Sequence, residues 1–313
     1  MPGAPHSRVA LAILILSVLL LIPCAARDTD DRARLCCVER APAPAAVAGT
    51  LLAAGDIAFC DASGDEATAR LLDAHAGTVI TLGDNAYPGG SISEFLRCYD
   101  PTWGRARGRT FPSPGNHEYV TGGAAGYFEY FGEAAGDATK GYYSFDVEDW
   151  HLIALNSNCD EIGGCGPGSP QERWLRADLA ASRARCVLAY WHHPRFSSGD
   201  HGSHASMQPF WQALYGFGAD VVLSGHDHSY ERFAPQSPDG ASDPQRGIVQ
   251  FVVGTGGKSH YGFGAPIANS DVRHTGTFGV LKLTLRPSGY DWEFLSVAGG
   301  TFADSGSADC VAP

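Results

Sequence analysis

Residues 78–87 read TVITLGDNAY. A short apolar and β-branched run, Thr78 to Leu82, passes straight into Gly83-Asp84-Asn85-Ala86-Tyr87. A run of this length stopped by a glycine reads as a buried strand, and the turn after it presents polar side chains. The pattern recurs along the chain. Thr50 to Ala54 leads into Gly55-Asp56-Ile57-Ala58, and Phe111-Pro112 into Gly115-Asn116-His117-Glu118. Val187 to Trp191 ends at His192-His193-Pro194, and Asp220 to Leu223 ends at Gly225-His226-Asp227-His228. Helices are expected between these runs at Asp65 to His75, Pro170 to Ala181 and Ser206 to Tyr215. In the second, Trp174, Leu175 and Leu179 fall at helical spacing, with Pro170 in the first turn. Strands that each deliver a polar group at their C-terminal end, alternating with helices, indicate an α/β fold with its site along one sheet edge.

Other segments read as antiparallel. Tyr142 to Val147 and His151 to Asn156 flank a Glu148-Asp149 turn. Ile248 to Val253, Phe278 to Leu285 and Tyr290 to Leu295 follow, the last two joined by Pro287-Ser288-Gly289. The second half is therefore expected to contribute a sheet of its own. No repeat of fixed period occurs, and no linker after Ala48 divides the chain into further domains.

Composition limits the function classes. The 313 residues are 44% hydrophobic and 18% charged, a globular balance. The net charge of −12 argues against a protein that coats nucleic acid. Val9 to Ile22 is an uncharged apolar run of 14 residues preceded by Arg8, too short to span a bilayer as a helix. It reads as a secretory signal peptide over residues 1–26, cleaved after Ala26. A lipid anchor at Cys24 is the lesser alternative. Residues 27–48 read as a polar, Pro/Ala-rich arm, and residues 49–313 as one domain that carries all five clusters. The protein is thus expected to be exported, periplasmic or extracellular, with no transmembrane span in the mature chain. Loss of Cys24 leaves eight cysteines, an even number suited to an oxidising compartment. Cys159 with Cys165 is the best local disulfide candidate and Cys60 with Cys98 is plausible. Cys186, opening the apolar run CVLAYW, reads as a buried small hydrophobe.

The five clusters combine carboxylates and imidazoles, which suit manganese, iron or zinc. Seven candidate ligands are too many for one tetrahedral ion and enough for two ions sharing a carboxylate. The sequence has neither HExxH nor GxxxxGK[ST], so the common zinc-protease and phosphate-loop chemistries are set aside. Asp84 is the natural bridge, since one carboxylate can offset charge on two neighbouring ions.

Taken in order, these motifs resemble the calcineurin-like metallophosphoesterases, and most fully their purple acid phosphatase branch. The shared features are an aspartate, Gly-Asp-x-x-Tyr, Gly-Asn-His-Glu, a Val-x-x-x-x-His-x-Pro stretch and Gly-His-x-His. The resemblance implies a four-layer α/β/β/α sandwich with two mixed β-sheets packed face to face. It implies one metal position formed by Asp56, Asp84, Tyr87 and His228, holding Fe(III) beside Tyr87. The second would be formed by Asp84, Asn116, His192 and His226, holding Fe(II), Zn or Mn. His117 and His201 would be the substrate-side histidines, able to donate a proton or a charge-assisted hydrogen bond. His193 has two readings, a ring stacked over the site or a donor to a neighbouring carboxylate. Asp227 would orient an imidazole, and Glu118 would support the Asn116-His117 loop. Tyr230, Glu231 and Arg232 are candidate pocket walls. Arg195, His204 and His260 read as surface or loop residues.

The implied activity is hydrolysis of small phosphomonoesters by attack of a metal-held hydroxide. A phosphodiesterase with the same metal core is the alternative, and a non-catalytic module stabilised by metal is a remote one. One departure stands out: the branch usually has Asp-x-Gly in its first motif, where this chain has Asp56-Ile57-Ala58. With a negative φ at the alanine nothing is lost; with a positive one the first loop must shift slightly.

Overall fold

The computed structural model describes residues 49–311. The expected signal peptide, the arm and Cys24, Cys36 and Cys37 lie outside the described residues. Thirteen strands form two mixed sheets. The first, of six strands, takes β1 (Thr50–Ala54), β2 (Thr78–Leu82) and β3 (Thr110–Ser113), mutually parallel. It is completed by β11 (Gly279–Arg286), β12 (Gly289–Ser296) and β13 (Ser305–Asp309), in the order β13-β12-β11-β1-β2-β3. The second, of seven strands, has a parallel centre of β5 (Trp150–Ala154), β6 (Cys186–Tyr190), β7 (Val221–Ser224) and β9 (Val249–Val253). Antiparallel β4 (Tyr143–Val147) flanks it on one side, with β8 (Tyr230–Phe233) and β10 (Ser270–His274) on the other.

Alternation along the central strands explains the layering. Leu152, Ala154, Leu188, Tyr190, Val221 and Leu223 join the core that the first sheet contributes to. Their neighbours Ile153, Val187, Ala189 and Val222 pack instead with Leu175 and Leu179 of α4 (Pro170–Ala181) and with Phe210, Trp211 and Leu214 of α5 (Gln208–Gly216). Both faces are buried, so these strands read as continuous apolar runs rather than alternating ones. On the outer side of the first sheet lies α1 (Gly64–Ala74), whose Ala69 and Leu72 are buried. The result is the four-layer α/β/β/α sandwich.

The second half does build a sheet of its own, the seven strands between Tyr143 and His274, but the late hairpin does not belong to it. β11, β12 and β13 extend the N-terminal sheet, β1 pairing with β11 from Thr50↔Thr284 to Ala53↔Leu281. Apolar pattern identifies a strand but not which sheet edge it joins. Cys186 is also corrected. It is disulfide-bonded to Cys310, and the pair ties the end of β13 to the start of β6 in the other sheet. Cys60–Cys98 and Cys159–Cys165 are bonded as well. Among the described residues, no helix is long and apolar enough to cross a membrane.

Candidate metal centre

The C-terminal ends of β1, β2, β3, β6 and β7 deliver Asp56, Asp84, Asn116, His192 and the His226/His228 pair to one edge of the sandwich. Three of these residues turn off their strands with left-handed backbone: Asp56 (φ 60°), Asp84 (φ 51°) and His226 (φ 71°). Such a conformation costs on the order of 1–3 kcal/mol for a non-glycine residue and persists only where the surroundings enforce it. Here they do. The Asp56 carboxylate accepts the His226 N–H at 2.8 Å, and its carbonyl accepts the Lys258 N–H at 3.0 Å. Asp84 Oδ1 accepts the His117 N–H at 2.9 Å.

Glu118 anchors two of the loops. Its fully buried carboxylate accepts N–H groups from Asp84 (3.0 Å), Asn85 (2.8 Å), Ala86 (3.3 Å) and Gly115 (2.6 Å). Burial and the nearby Asp84 charge push its pKa up to about 7 against those donors. Glycine is required at two places. Gly83 has φ +80°, and a Cβ there would meet the His192 ring at 2.6 Å; one on Gly115 would meet Asp84 Oδ1 at 2.1 Å.

Two donor sets result. In the first, Tyr87 Oη lies 2.9 Å from Asp56 Oδ1, 2.9 Å from Asp84 Oδ2 and 3.1 Å from His228 Nε2. In the second, His192 Nε2 lies 3.0 Å from Asn116 Oδ1, 3.1 Å from His226 Nδ1 and 3.3 Å from Asp84 Oδ2. Donors about 2.1 Å from one ion, on adjacent coordination positions, stand roughly 3.0–3.4 Å apart. Both sets fall within 0.1 Å of that range, and their chemistry, hard oxygens with imidazoles, fits metal ions. Asp84 Oδ2 belongs to both.

The imidazoles are oriented for this role. His192 Nδ1 donates to the Leu82 carbonyl at 2.8 Å, leaving the Nε2 lone pair for the centre. His228 Nδ1 bonds Ser259 Oγ at 2.8 Å, and its ring stacks on Tyr261 with centroids 3.8 Å apart. Without a cation, these groups perturb one another strongly. Burial and the Asp56 and Asp84 carboxylates hold the Tyr87 phenol well above its ordinary range. Burial opposes a charge on His192, but the same carboxylates outweigh it and raise its pKa to about 9. Burial and the imidazoles of His192 and His193 push His226 well down. Burial also opposes the Asp84 charge, yet the facing His192 keeps that carboxyl below the usual range.

The remaining candidates divide. His117 Nδ1 donates to the Pro88 carbonyl, and Nε2 points toward Asp84 Oδ2 at 3.8 Å with the side chain 34% exposed. His201 is exposed at the rim, its ring 4.5 Å from that of His226. Asp227 supports it, but through the His201 backbone N–H at 2.8 Å and not through an imidazole. His193 bonds Ser157 and packs 4.4 Å from His226; His204 joins the same cluster at 5.0 Å. His204 is therefore not an isolated loop histidine. His260 stacks on Phe278. Tyr230 and Arg232 bond Asp304, and Glu231 accepts from Ser198 and Ser270, so none walls the site. Arg195 turns to the Pro238 carbonyl. Ala58 is not among the positive-φ residues and bridges Ala86, so its methyl is accommodated. A third cluster, Cys186, Asp220 and Cys310, has no thiolate to offer because its cysteines are bonded to each other.

Ser259, Tyr261 and Lys258 were not singled out from sequence. Their signal was present: β9 ends at Gly254-Thr255-Gly256-Gly257, the same apolar-run-to-glycine pattern that marks the other loops.

The sequence profile of the calcineurin-like phosphoesterases matches residues 49–230, more than half of the chain. Purple acid phosphatase 18 of Arabidopsis thaliana is 35% identical over 134 residues, 40% of this chain and 29% of that protein. An uncharacterized protein of Mycobacterium tuberculosis is 29% identical over 185 residues, 47% of this chain and 35% of that protein. The chain thus spans about a third of the length of these relatives. A purple acid phosphatase from yellow lupin (Lupinus luteus) seeds superposes with a TM-score of 0.69 at 20% identity, over 86% of this chain and 55% of that one. GAP50, the anchor in the inner membrane complex of Plasmodium, superposes with a TM-score of 0.64 at 14% identity, over 83% of this chain and 88% of that one. Those two similarities speak to fold alone. Profile, motif order and architecture agree: the chain belongs to the calcineurin-like phosphoesterase family, with homology to its purple acid phosphatases.

Proposed function

We propose that this protein is an exported two-metal phosphatase that hydrolyses phosphomonoesters. One ion would be held by Asp56, Asp84, Tyr87 and His228, the other by Asp84, Asn116, His192 and His226. The observation that carries the reading is the shared Asp84 Oδ2, 2.9 Å from Tyr87 Oη and 3.3 Å from His192 Nε2. Two carboxylates and a phenol make the first set the harder and more anionic, which suits Fe(III). An amide and two imidazoles beside the shared carboxylate suit Fe(II), Zn or Mn. When bound, the ions supply Lewis-acid neutralisation of phosphoryl charge and activation of the attacking water.

The chain's own groups complete the reaction. Water adds to phosphorus, the ester P–O bond breaks, and the departing oxygen takes a proton. His117 is the donor: its Nδ1 is committed to Pro88, leaving Nε2 half-exposed beside Asp84. His201 closes the opposite rim and donates to phosphoryl oxygen, positioned through its backbone bond to Asp227. Export is supported by the N-terminal apolar run and by the three disulfides.

A diesterase needs room for a second ester arm, and a cavity of about 500 Å³ beside Asn116 offers it. The deciding experiment compares p-nitrophenyl phosphate with bis(p-nitrophenyl) phosphate after chelation and metal readdition. Metal-dependent kcat/KM favouring the monoester is expected. A tenfold preference for the diester would transfer the assignment, and no turnover of either by metal-loaded, folded protein would remove the catalytic reading.

A further inference from the structure

The cavity beside Asn116 opens directly off the second donor set. Asn116 and His193 line it on the metal side, and Tyr119, Asn158, Asp160 and Glu161 line it as well. Its volume, about 500 Å³, is that of a small-ligand site. Through Asn116 the cavity adjoins the second donor set, and it is space into which the ester's organic group can extend.

The charge of the cavity is one-sided. No lysine or arginine lines it. Asp160 and Glu161 are exposed, and no ion pair among the described residues engages either carboxylate. They sit on a fixed turn, Cys159–Glu161, closed by the Cys159–Cys165 disulfide and by the Gly164 N–H to Cys159 carbonyl bond at 2.8 Å. Tyr119 is also held, its hydroxyl accepting from Asn156 Nδ2 at 2.7 Å. A cation in the cavity would meet two unpaired carboxylates and an aromatic side chain. A second phosphate or carboxylate on the substrate would meet repulsion.

We propose that the preferred substrate is a phosphomonoester whose leaving group carries a positive charge on a short alkyl arm, an ammonium or quaternary ammonium recognised by Asp160 and Glu161. This rests on the phosphomonoesterase reading and adds the substrate class to it. Nucleoside polyphosphates and other polyanionic esters are disfavoured by the same wall, in keeping with the net charge of −12.

The test uses three esters with metal-loaded enzyme: O-phosphocholine, its neutral isostere 3,3-dimethylbutyl phosphate, and anionic 3-phosphoglycerate. The expected kcat/KM for phosphocholine exceeds that for the isostere at least tenfold, with phosphoglycerate below both. The preference shrinks in 0.5 M salt, about where screening reaches a few ångströms. In an Asp160→Asn, Glu161→Gln double variant, the ratio of phosphocholine to isostere falls to within threefold. Rates within threefold for all three esters in the wild type, or an unchanged ratio in the variant, would overturn the proposal and leave the phosphomonoesterase reading standing. Failure to hydrolyse any of them, or p-nitrophenyl phosphate, would overturn both.

Discussion

The two ends of the sandwich are held together by opposite means. At the far end, bonds close on themselves. Cys186 is joined to Cys310, the Asp220 carboxylate accepts the N–H groups of Val187 and Val311, and Trp150 Nε1 donates to the Arg286 carbonyl in the other sheet. At the site end, the sheets meet through groups that disagree with one another: two buried carboxylates, a phenol and several imidazoles, on backbones turned left-handed. The contrast teaches that the far end carries stability and the site end spends some of it to hold a donor set in place. Cations bound there would offset the carboxylate and phenol charge and stabilise the folded state at that end.

Substitutions at one end should therefore leave the other largely untouched. The largest effect is expected for Asp84→Ala, which removes the shared oxygen: kcat/KM on p-nitrophenyl phosphate should fall about 10³-fold, with the protein still folded by circular dichroism. A loss under tenfold would mean that the two donor sets do not act as one centre. Next is Cys186→Ser with Cys310→Ser. The crosslink spans 124 residues, so its removal should cost about 5 kcal/mol in a denaturant titration. Activity at 25 °C should change less than twofold; a collapse of turnover in folded protein would erase the separation between the ends.

Glu118→Gln is a smaller change at the site end. It keeps shape but turns an NH₂ toward backbone N–H groups, and metal affinity measured by competition with a chelator should drop about 10–100-fold. Unchanged affinity would show that the loops hold without it. The smallest effect is at the far end, where His151 bonds Asp146 at 2.7 Å and Asp178 at 2.8 Å. Burial lowers its pKa, but the two carboxylates outweigh this and raise it. A raised folded-state pKa stabilises fully below about pH 6.5 and is lost as pH rises through the folded value. His151→Phe should thus cost about 1 kcal/mol more at pH 6 than at pH 9. Equal costs at both would refute the ion-pair role.

The site end was the more legible of the two in the sequence. Short apolar runs stopping at glycine marked Asp56, Asp84, Asn116 and His226, and one stopping at His-His-Pro marked His192, because strand ends and tight turns leave local signatures. Glu118 was noticed but underestimated, since four donors arriving from two loops leave no spacing to read. The far end was nearly silent. Cys186 looked like a core residue because its partner lies in another sheet. β13 (Ser305–Asp309, SGSAD) is an edge strand of small and polar residues with no apolar alternation. α3 (Ala125–Phe131) follows Gly122-Gly123, residues that argue against a helix until the buried Tyr127, Tyr130 and Phe131 supply the packing.

The central claim is that two ions share Asp84, and metal analysis tests it most directly. After loading and desalting, inductively coupled plasma mass spectrometry should find two ions per wild-type chain, one in Asn116→Ala and fewer than one in Asp84→Ala. A single ion in the wild type, or two retained in Asp84→Ala, would contradict the account.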